Sequence, residues 1–105
     1  MHMRLTTKNA TLRIATSRTE KIDTWVLQGS LCGPMVDELA ASWKNTTTER
    51  AGRECVIDIV DLIGVDERGE EQLTQMIREG ARFVVRGVYS RSLLESLSER
   101  CKQEA

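Results

Sequence analysis

Residues Cys55 to Glu79 read CVIDIVDLIGVDERGEEQLTQMIRE, and the fold can be worked out from this stretch. Its first part, Cys55 to Val60, is a nearly continuous β-branched apolar run that contains one carboxylate, Asp58. Such a run is typical of a strand in a parallel sheet that is covered on both faces. We therefore expect a central strand here.

A short acidic turn, Asp66-Glu67-Arg68-Gly69, and an amphipathic helix follow this strand. Asp66 lies where an N-cap side chain accepts hydrogen bonds from backbone N–H groups. The next acidic residues place negative charge at the positive end of the helix dipole: Glu67, Glu70 and Glu71. The helix is predicted from apolar or small residues spaced i, i+3, i+4 and i+7: Leu73, Met76, Ile77 and Gly80.

The composition is that of an ordinary globular chain. Its 105 residues suffice for one domain with a single hydrophobic core. Fifteen basic residues nearly balance sixteen acidic ones, and only 4% of the residues are aromatic, so neither nucleic acid nor a membrane surface is an expected partner. No stretch has the apolar length of a membrane span or a signal peptide, which predicts a cytoplasmic protein.

The cysteine and histidine content gives no sign of a metal or cofactor site. One histidine and three widely spaced cysteines, Cys32, Cys55 and Cys101, do not form a zinc-type ligand set. We interpret Cys55 and Cys101 as reduced thiols on apolar faces. We expect no metal and no cofactor.

The remaining elements can be placed in chain order. Residues 1–9 are predicted to be a loose arm, and residues 10–105 a single domain. Gly33-Pro34 is predicted to open a helix, Gly80 to end the next one, and Ser90 to cap the last. Strands are predicted at 11–16, 24–31 and 83–85, a helix at 35–43 and a polar loop at 45–52.

The predicted order is β-β-α-β-α-β-α. The short connection between the first two strands favours antiparallel pairing, and right-handed crossovers make the other pairs parallel. The fold class is therefore α/β, with a mixed, mostly parallel sheet of about four strands and about three helices packed against it.

This order resembles the STAS domain (sulfate transporter and anti-sigma factor antagonist) over roughly residues 10–101. The family has a strand with an aspartate in it, which Val56-Ile57-Asp58-Ile59 matches, and then Asp-Ser-Ser-Gly at the start of a helix, where this chain has Asp66-Glu67-Arg68-Gly69. Gly29-Ser30-Leu31-Cys32 stands where the family often has Gly-x-Leu-Asp. The resemblance implies a STAS-like fold and a non-catalytic role in binding a signalling protein.

The chain departs from the family at the residues that carry its switch. In members that antagonise anti-sigma factors, the partner kinase phosphorylates the first serine of the turn, and this chain has Glu67 there. A carboxylate accepts no phosphate, so the phospho-switch is not expected. The acidic residue at the end of the second strand is replaced by Cys32.

Two interpretations remain open for Glu67, and two for Arg68. Glu67 is either a partial mimic of phosphoserine that contacts a partner, or a first-turn acid favoured by the helix dipole. Arg68 either presents its planar fork of donors to a partner carboxylate or is a solvated surface arginine.

Asp58 and Cys32 also allow two interpretations each. Asp58 is interpreted as a structural acid that needs a hydrogen-bond partner, rather than as a catalytic group. Cys32, between a strand and a helix N-terminus, has the setting of a reactive thiol. However, Met35 stands where a thioredoxin-like turn has its second cysteine.

The sequence therefore predicts a non-enzymatic protein-interaction module that takes part in the regulation of transcription. Its partner would be an anti-sigma factor or another kinase-like regulator. The expected partner-binding surface comprises Asp66, Glu67, Arg68, Gly69, Gly33 and Pro34. The alternatives are a thiol redox protein that uses Cys32, a small-ligand or nucleotide sensor that uses helix N-termini, and a structural assembly subunit.

Overall fold

The computed structural model describes residues 12–103, and the predicted loose arm, residues 1–9, lies outside them. Eight elements follow one another in an α/β order. They are β1 (Leu12–Arg18), β2 (Ile22–Leu31), α1 (Pro34–Asn45), α2 (Thr47–Arg50), β3 (Glu54–Val65), α3 (Glu67–Arg78), β4 (Arg82–Val84) and α4 (Gly87–Gln103).

The four described strands form one sheet in the order β1-β2-β3-β4. β1 is antiparallel to β2, with Ile14 opposite Leu27, whereas β2–β3 and β3–β4 are parallel. The turn between β1 and β2 is closed by Thr19, whose N–H donates to the carbonyl of Ile22 at 2.8 Å and whose hydroxyl accepts from the N–H of Ile22 at 3.0 Å. The predicted mixed, mostly parallel sheet is confirmed.

The core lies between one face of the sheet and the helices. Side chains of alternate strand positions, such as Ile14, Leu27 and Ile57, are fully buried there. Because α1, α3 and α4 all contribute to the same cluster, the helices cover this one face. The helical members of the cluster are Val36, Leu39, Trp43, Leu73, Met76, Leu93 and Leu97.

The prediction that the central strand is covered on both faces was wrong. Ile57 and Ile59 of β3 are fully buried, but the intervening Val56, Asp58 and Val60 are only half-buried. The strand also continues to Val65, beyond its predicted end. It does so through two irregularities in its pairing with β2, and these shift the alternation that the sequence pattern assumes.

Two further details differ from the sequence-based expectations. The predicted polar loop at 45–52 contains the short helix α2. Ser90 does not precede the last helix but lies inside its first turn, because α4 begins at Gly87. The hydroxyl of Ser90 accepts from the N–H of Arg86 at 2.8 Å and donates to the carbonyl of Arg86 at 2.7 Å, so it still stabilises the helix start.

Candidate functional site

The two predicted turns meet at the carboxyl edge of the parallel strands. β2 ends at Leu31 and β3 at Val65, and these two residues are paired in the sheet. The Gly33-Pro34 turn follows Leu31, and the Asp66–Gly69 turn follows Val65. Loops after adjacent parallel strands collect at one edge, which is where α/β folds display functional groups.

Asp66 joins these two turns through both oxygens of its carboxylate. Oδ1 accepts from the N–H of Gly69 at 2.8 Å, which makes Asp66 the N-cap of α3. Oδ2 accepts from the N–H of Gly33 at 2.9 Å, immediately before α1. These bonds, first that from Gly33 and then that from Gly69, together with the charge of Arg68, hold the pKa of Asp66 below its usual value. The predicted N-cap is confirmed, and the same side chain also fixes the start of α1.

Gly69 allows α3 to begin close to β2. A Cβ at this position would stand 2.5 Å from the carbonyl oxygen of Leu31 and 2.8 Å from a methyl carbon of Val65. The first of these atoms belongs to the backbone and cannot turn aside. Any other residue at 69 would therefore push the first turn of α3 away from the sheet.

The Gly33-Pro34 turn has a backbone shape that suits glycine. Gly33 has φ 56° and ψ −132°, which L side chains rarely adopt. Pro34 is the first residue of α1, where its fixed φ suits the helix and its missing N–H is not needed. This turn therefore places the Gly33 N–H toward Asp66 and leaves Pro34 exposed.

Arg68 is paired within the chain. Its guanidinium donates to Oδ1 of Asp37 in α1 at 2.5 Å and makes a longer contact, 3.4 Å, to the carbonyl of Gly33. Both side chains of the ion pair are more than half exposed, 55% for Arg68 and 69% for Asp37. Arg68 thus links the starts of α1 and α3 across the protein surface.

Glu67 is exposed at the first position of α3. Within the described part of the chain, its carboxylate has no hydrogen bond or ion pair. It lies on the positive end of the helix dipole, so its charge is favoured there without an intramolecular partner. Of the predicted turn residues, Glu67 is thus the one whose charged group is open to another molecule.

Exposed apolar side chains lie at the same edge, and sequence reasoning missed them. Ile63, near the end of β3, is 77% exposed, and Val88, in the first turn of α4, is 88% exposed. Tyr89 beside Val88 is 46% exposed. The pattern of the sequence assigned no face to Ile63, because an irregularity in the β2–β3 pairing lies between its neighbours Leu62 and Gly64.

Asp58 does not lie at this edge. It is within β3, on the half-buried face, and its Oδ1 accepts from the N–H of Val60 at 3.0 Å. This bond spans two residues at the first irregularity in the pairing of β3 with β2. Asp58 therefore stabilises the local backbone of β3, as a structural acid would.

Cys32 follows β2 at the carboxyl edge, and it lies near enough to Tyr89 of α4 to interact with it electrostatically. Partial burial raises the pKa of the Tyr89 hydroxyl, and the nearby groups of Glu70 and Cys32 raise it further. Cys55 is the second residue of β3, at the opposite end of this strand from the carboxyl edge, and the thiol of Cys101 contacts the carbonyl of Thr74 at 4.0 Å. All three cysteines are free and half-buried, so none of them forms a disulfide.

Residues 12–103 offer neither a metal-binding cluster nor a helix that could cross a membrane. These residues include no group of three or more His, Cys, Asp or Glu side chains that could hold a metal ion. No helix in this part of the chain has the length and apolar character needed to cross a membrane.

Comparison with known proteins identifies the fold. No protein-family model matches the chain, and no curated protein has a significant sequence match. Among solved structures, the chain is similar to the crystal structure of an anti-sigma-factor antagonist, a STAS domain from Rhodobacter sphaeroides. The TM-score is 0.55 at 19% sequence identity, and the match covers 74% of this chain and 88% of that chain. The STAS-like fold predicted from the sequence is confirmed.

Proposed function

We propose that the chain is a non-catalytic module that binds a protein partner through the carboxyl edge of its sheet. The observation that supports this most directly is the exposed carboxylate of Glu67, which has no intramolecular partner among the described residues. It stands on a turn whose backbone is held by Asp66 and Gly69. A charged group on a rigid turn loses little conformational freedom on binding.

The surroundings of Glu67 suit a protein rather than a small anion. Interfaces combine exposed apolar side chains with a polar rim, and Ile63, Val88 and Tyr89 supply the apolar part at this edge. An anion at the start of α3 would meet the like charges of Glu67 and Glu70. A partner with a cationic group facing Glu67 and an apolar patch beside it is the better complement.

The six predicted partner-binding residues divide into two roles in this proposal. Asp66, Gly69 and Gly33 hold the two turns in place, whereas Glu67, Pro34 and Arg68 are exposed and available for contact. Arg68 can contact a partner carboxylate only in competition with Asp37. We therefore assign the main contact to Glu67.

The similar solved structure supports the partner class in this proposal. The similar Rhodobacter sphaeroides domain is an anti-sigma-factor antagonist. We propose that this chain binds an anti-sigma factor or a related kinase-like regulator in the cytoplasm and thereby acts on transcription. With Glu67 in place of the serine, binding would not be switched by phosphorylation of this turn.

The experiment is a comparison of three tagged proteins: the wild type, Glu67→Lys and the control Glu99→Lys. Both variants change the charge equally on an exposed helical residue, but Glu99 lies near the far end of α4. A partner captured from source-cell lysate by the wild type is purified, and its affinity for each protein is measured by calorimetry.

We expect Glu67→Lys to weaken binding on the order of tenfold or more, because it places a like charge against the partner's cation. Glu99→Lys should bind as the wild type does. Equal affinity of all three proteins, or equal loss in both variants, would contradict an interface at Glu67.

A further inference from the structure

A cavity lies between the strand β1 and the helix α1, and none of its lining residues belongs to the two carboxyl-edge turns. Its volume is about 300 Å³, at the lower end of the range in which proteins bind small molecules. β1 lines it with the alternate residues Ile14, Thr16 and Arg18, which share one face of the strand. The cavity is thus a feature distinct from the surface around Glu67.

The α1 side of the cavity is one stripe of the helix. Its members are spaced i, i+3, i+4 and i+7, which places them on the same helix face: Glu38, Ala41, Ser42 and Asn45. None of them is among the buried residues of α1. One face of α1 therefore packs in the core, while a second face borders the cavity.

The inner surface of the cavity is apolar and its outer wall is mostly polar. Ile14 and Trp25 line it and are each only 1% exposed, so they form its deepest part. Glu38 and Asn45 are exposed and Ser42 is half-buried, so these three stand nearer the solvent. An apolar base with a few polar groups around it is the usual composition of a small-molecule site.

The polar side chains of this wall have no partners among residues 12–103. The carboxylate of Glu38 makes no hydrogen bond or ion pair with the described part of the chain. The same holds for the hydroxyl of Ser42, the amide of Asn45 and, across the cavity, the hydroxyl of Thr16. Each of these groups is therefore free to bind another molecule.

The charges at the cavity favour a cation over an anion. Arg18 is the one described arginine or lysine that lines it. Its guanidinium already contacts two carboxylates, Asp23 at 3.2 Å and Glu49 at 3.4 Å. The carboxylate of Glu38 is the lining charge that is left without a counter-charge, and it would repel an anionic ligand.

The spacing of the α1 groups sets the size and kind of ligand. A carboxylate binds an ammonium group through charge-assisted hydrogen bonds, and a hydroxyl or an amide pairs with hydroxyl groups. At 1.5 Å per residue, Glu38 and Asn45 are about 10 Å apart along the helix axis, with Ser42 between them. A molecule no larger than a monosaccharide can contact all three.

We propose that this cavity binds a small hydroxylated amine, with its ammonium group on Glu38 and its hydroxyl groups on Ser42 and Asn45. Amino alcohols and amino sugars belong to this chemical class. The proposal adds a ligand site to the domain and does not depend on the function assigned to Glu67.

The test is a titration of the full isotope-labelled chain, followed by amide NMR spectra. The probes are three amines: ethanolamine, serinol and glucosamine. Each is compared with the neutral molecule in which a hydroxyl replaces the amine, which is ethylene glycol, glycerol or glucose. Glucuronate is the anionic comparison.

Two pairs of matched variants locate the site. Glu38→Gln removes the proposed counter-charge, and its control, Glu99→Gln, makes the same change on an exposed residue of α4. Ser42→Phe places a ring at the cavity wall to fill the space, and its control is Ser96→Phe, also exposed on α4. The spectrum of each variant shows whether it is folded.

We expect at least one amine to cause saturable shifts at residues 38–46 and at Thr16, with clearly higher affinity than its neutral counterpart. Glu38→Gln should weaken the binding of the amine about threefold to fivefold, as befits an ion pair that is open to solvent. Ser42→Phe should abolish the shifts. Glucuronate should cause none, and both control variants should bind as the wild type does.

Several results would overturn the proposal. One is that none of the three amines causes a saturable shift at the cavity, and another is that amines and their neutral counterparts bind equally. Equal effects of Glu38→Gln and Glu99→Gln would also contradict it, as would binding that persists in a folded Ser42→Phe. If Ser42→Phe does not fold, the comparison of the two glutamine variants decides.

Discussion

Asp66 accepts a hydrogen bond at 2.9 Å from the N–H of Gly33, which precedes it by 33 residues. Its other carboxylate oxygen caps α3 through the N–H of Gly69. One side chain therefore sets the relative position of the two turns that flank the proposed binding surface. Because only the ionised form accepts both bonds without a competing proton, this arrangement is sensitive to pH.

Replacement of Asp66 by Asn should destabilise the protein at neutral pH, and the difference should shrink in acid. The folded-state pKa of Asp66 is below its ordinary value of 3.8, so its contribution is fully present above that pH and is lost as the pH falls through the folded pKa. Urea unfolding of both proteins at neutral pH and at a series of pH values from about 5 down to 2 measures this.

The control for this prediction is Asp61→Asn, since Asp61 is an exposed acid that bonds only to the side chain of Gln28 among the described residues. Its variant should differ little from the wild type at any pH. A constant difference between wild type and Asp66→Asn from neutral to acid pH would contradict the assigned role of the carboxylate.

Gly69→Ala should lower the free energy of unfolding by about 1–3 kcal/mol, because the new Cβ would overlap the carbonyl oxygen of Leu31. Gly64→Ala is the matched control. Its Cβ would stand 3.3 Å from the hydroxyl oxygen of Ser30, which belongs to a side chain that can turn. Thermal or urea unfolding of both variants decides the point, and equal stability of the two would show that α3 can shift without cost.

The carboxyl-edge site was predictable where its geometry is local. Asp66 caps a helix that begins at the next residue, and Gly69 belongs to the same turn, so spacing along the chain was enough to place both. The order of strands and helices along the chain followed in the same way from periodicity, and the antiparallel pairing of the first two strands followed from the length of their connection. These features depend on residues that are close in sequence.

The contacts between turns were not predictable because they join distant residues. Nothing near Arg68 in the sequence indicates that it pairs with Asp37 of α1, 31 residues earlier. The exposure of Ile63 depends on a shift in the pairing of β3 with β2, and a strict two-residue period cannot describe that shift. The sheet face opposite the helices was expected to be buried because Val56 and Val60 are apolar. In the structure, both side chains are only half-buried.

Arg50→Ala should destabilise the protein by about 2 kcal/mol or more, although Arg50 belongs to a short helix that sequence reasoning missed. Its side chain is 7% exposed, lies 3.5 Å from the ring centre of Trp43 and donates to the hydroxyl of Thr46 at 2.7 Å. Urea unfolding measures the loss.

The exposed Arg82 provides the comparison for Arg50. It pairs with Glu54 at the surface, where its side chain is 76% exposed. Arg82→Ala should therefore cost less than about 1 kcal/mol, as is usual for surface ion pairs. If the two alanine variants lose the same stability, the burial of Arg50 against Trp43 contributes nothing beyond a surface arginine.

Glu67→Gln separates the two interpretations of this residue, because it removes the charge while keeping the shape. If the charge served only the helix dipole, the variant would lose about 0.3–1 kcal/mol of stability and no partner affinity. We expect the same small loss of stability, together with at least a several-fold loss of affinity for the partner captured by the wild type. Urea unfolding and calorimetric titration of one preparation measure both quantities.

Glu71→Gln, one turn later on α3 and also exposed, is the control and should retain the affinity. Unchanged affinity in Glu67→Gln would leave Glu67 as a first-turn acid of α3 and would place the interface elsewhere on the domain.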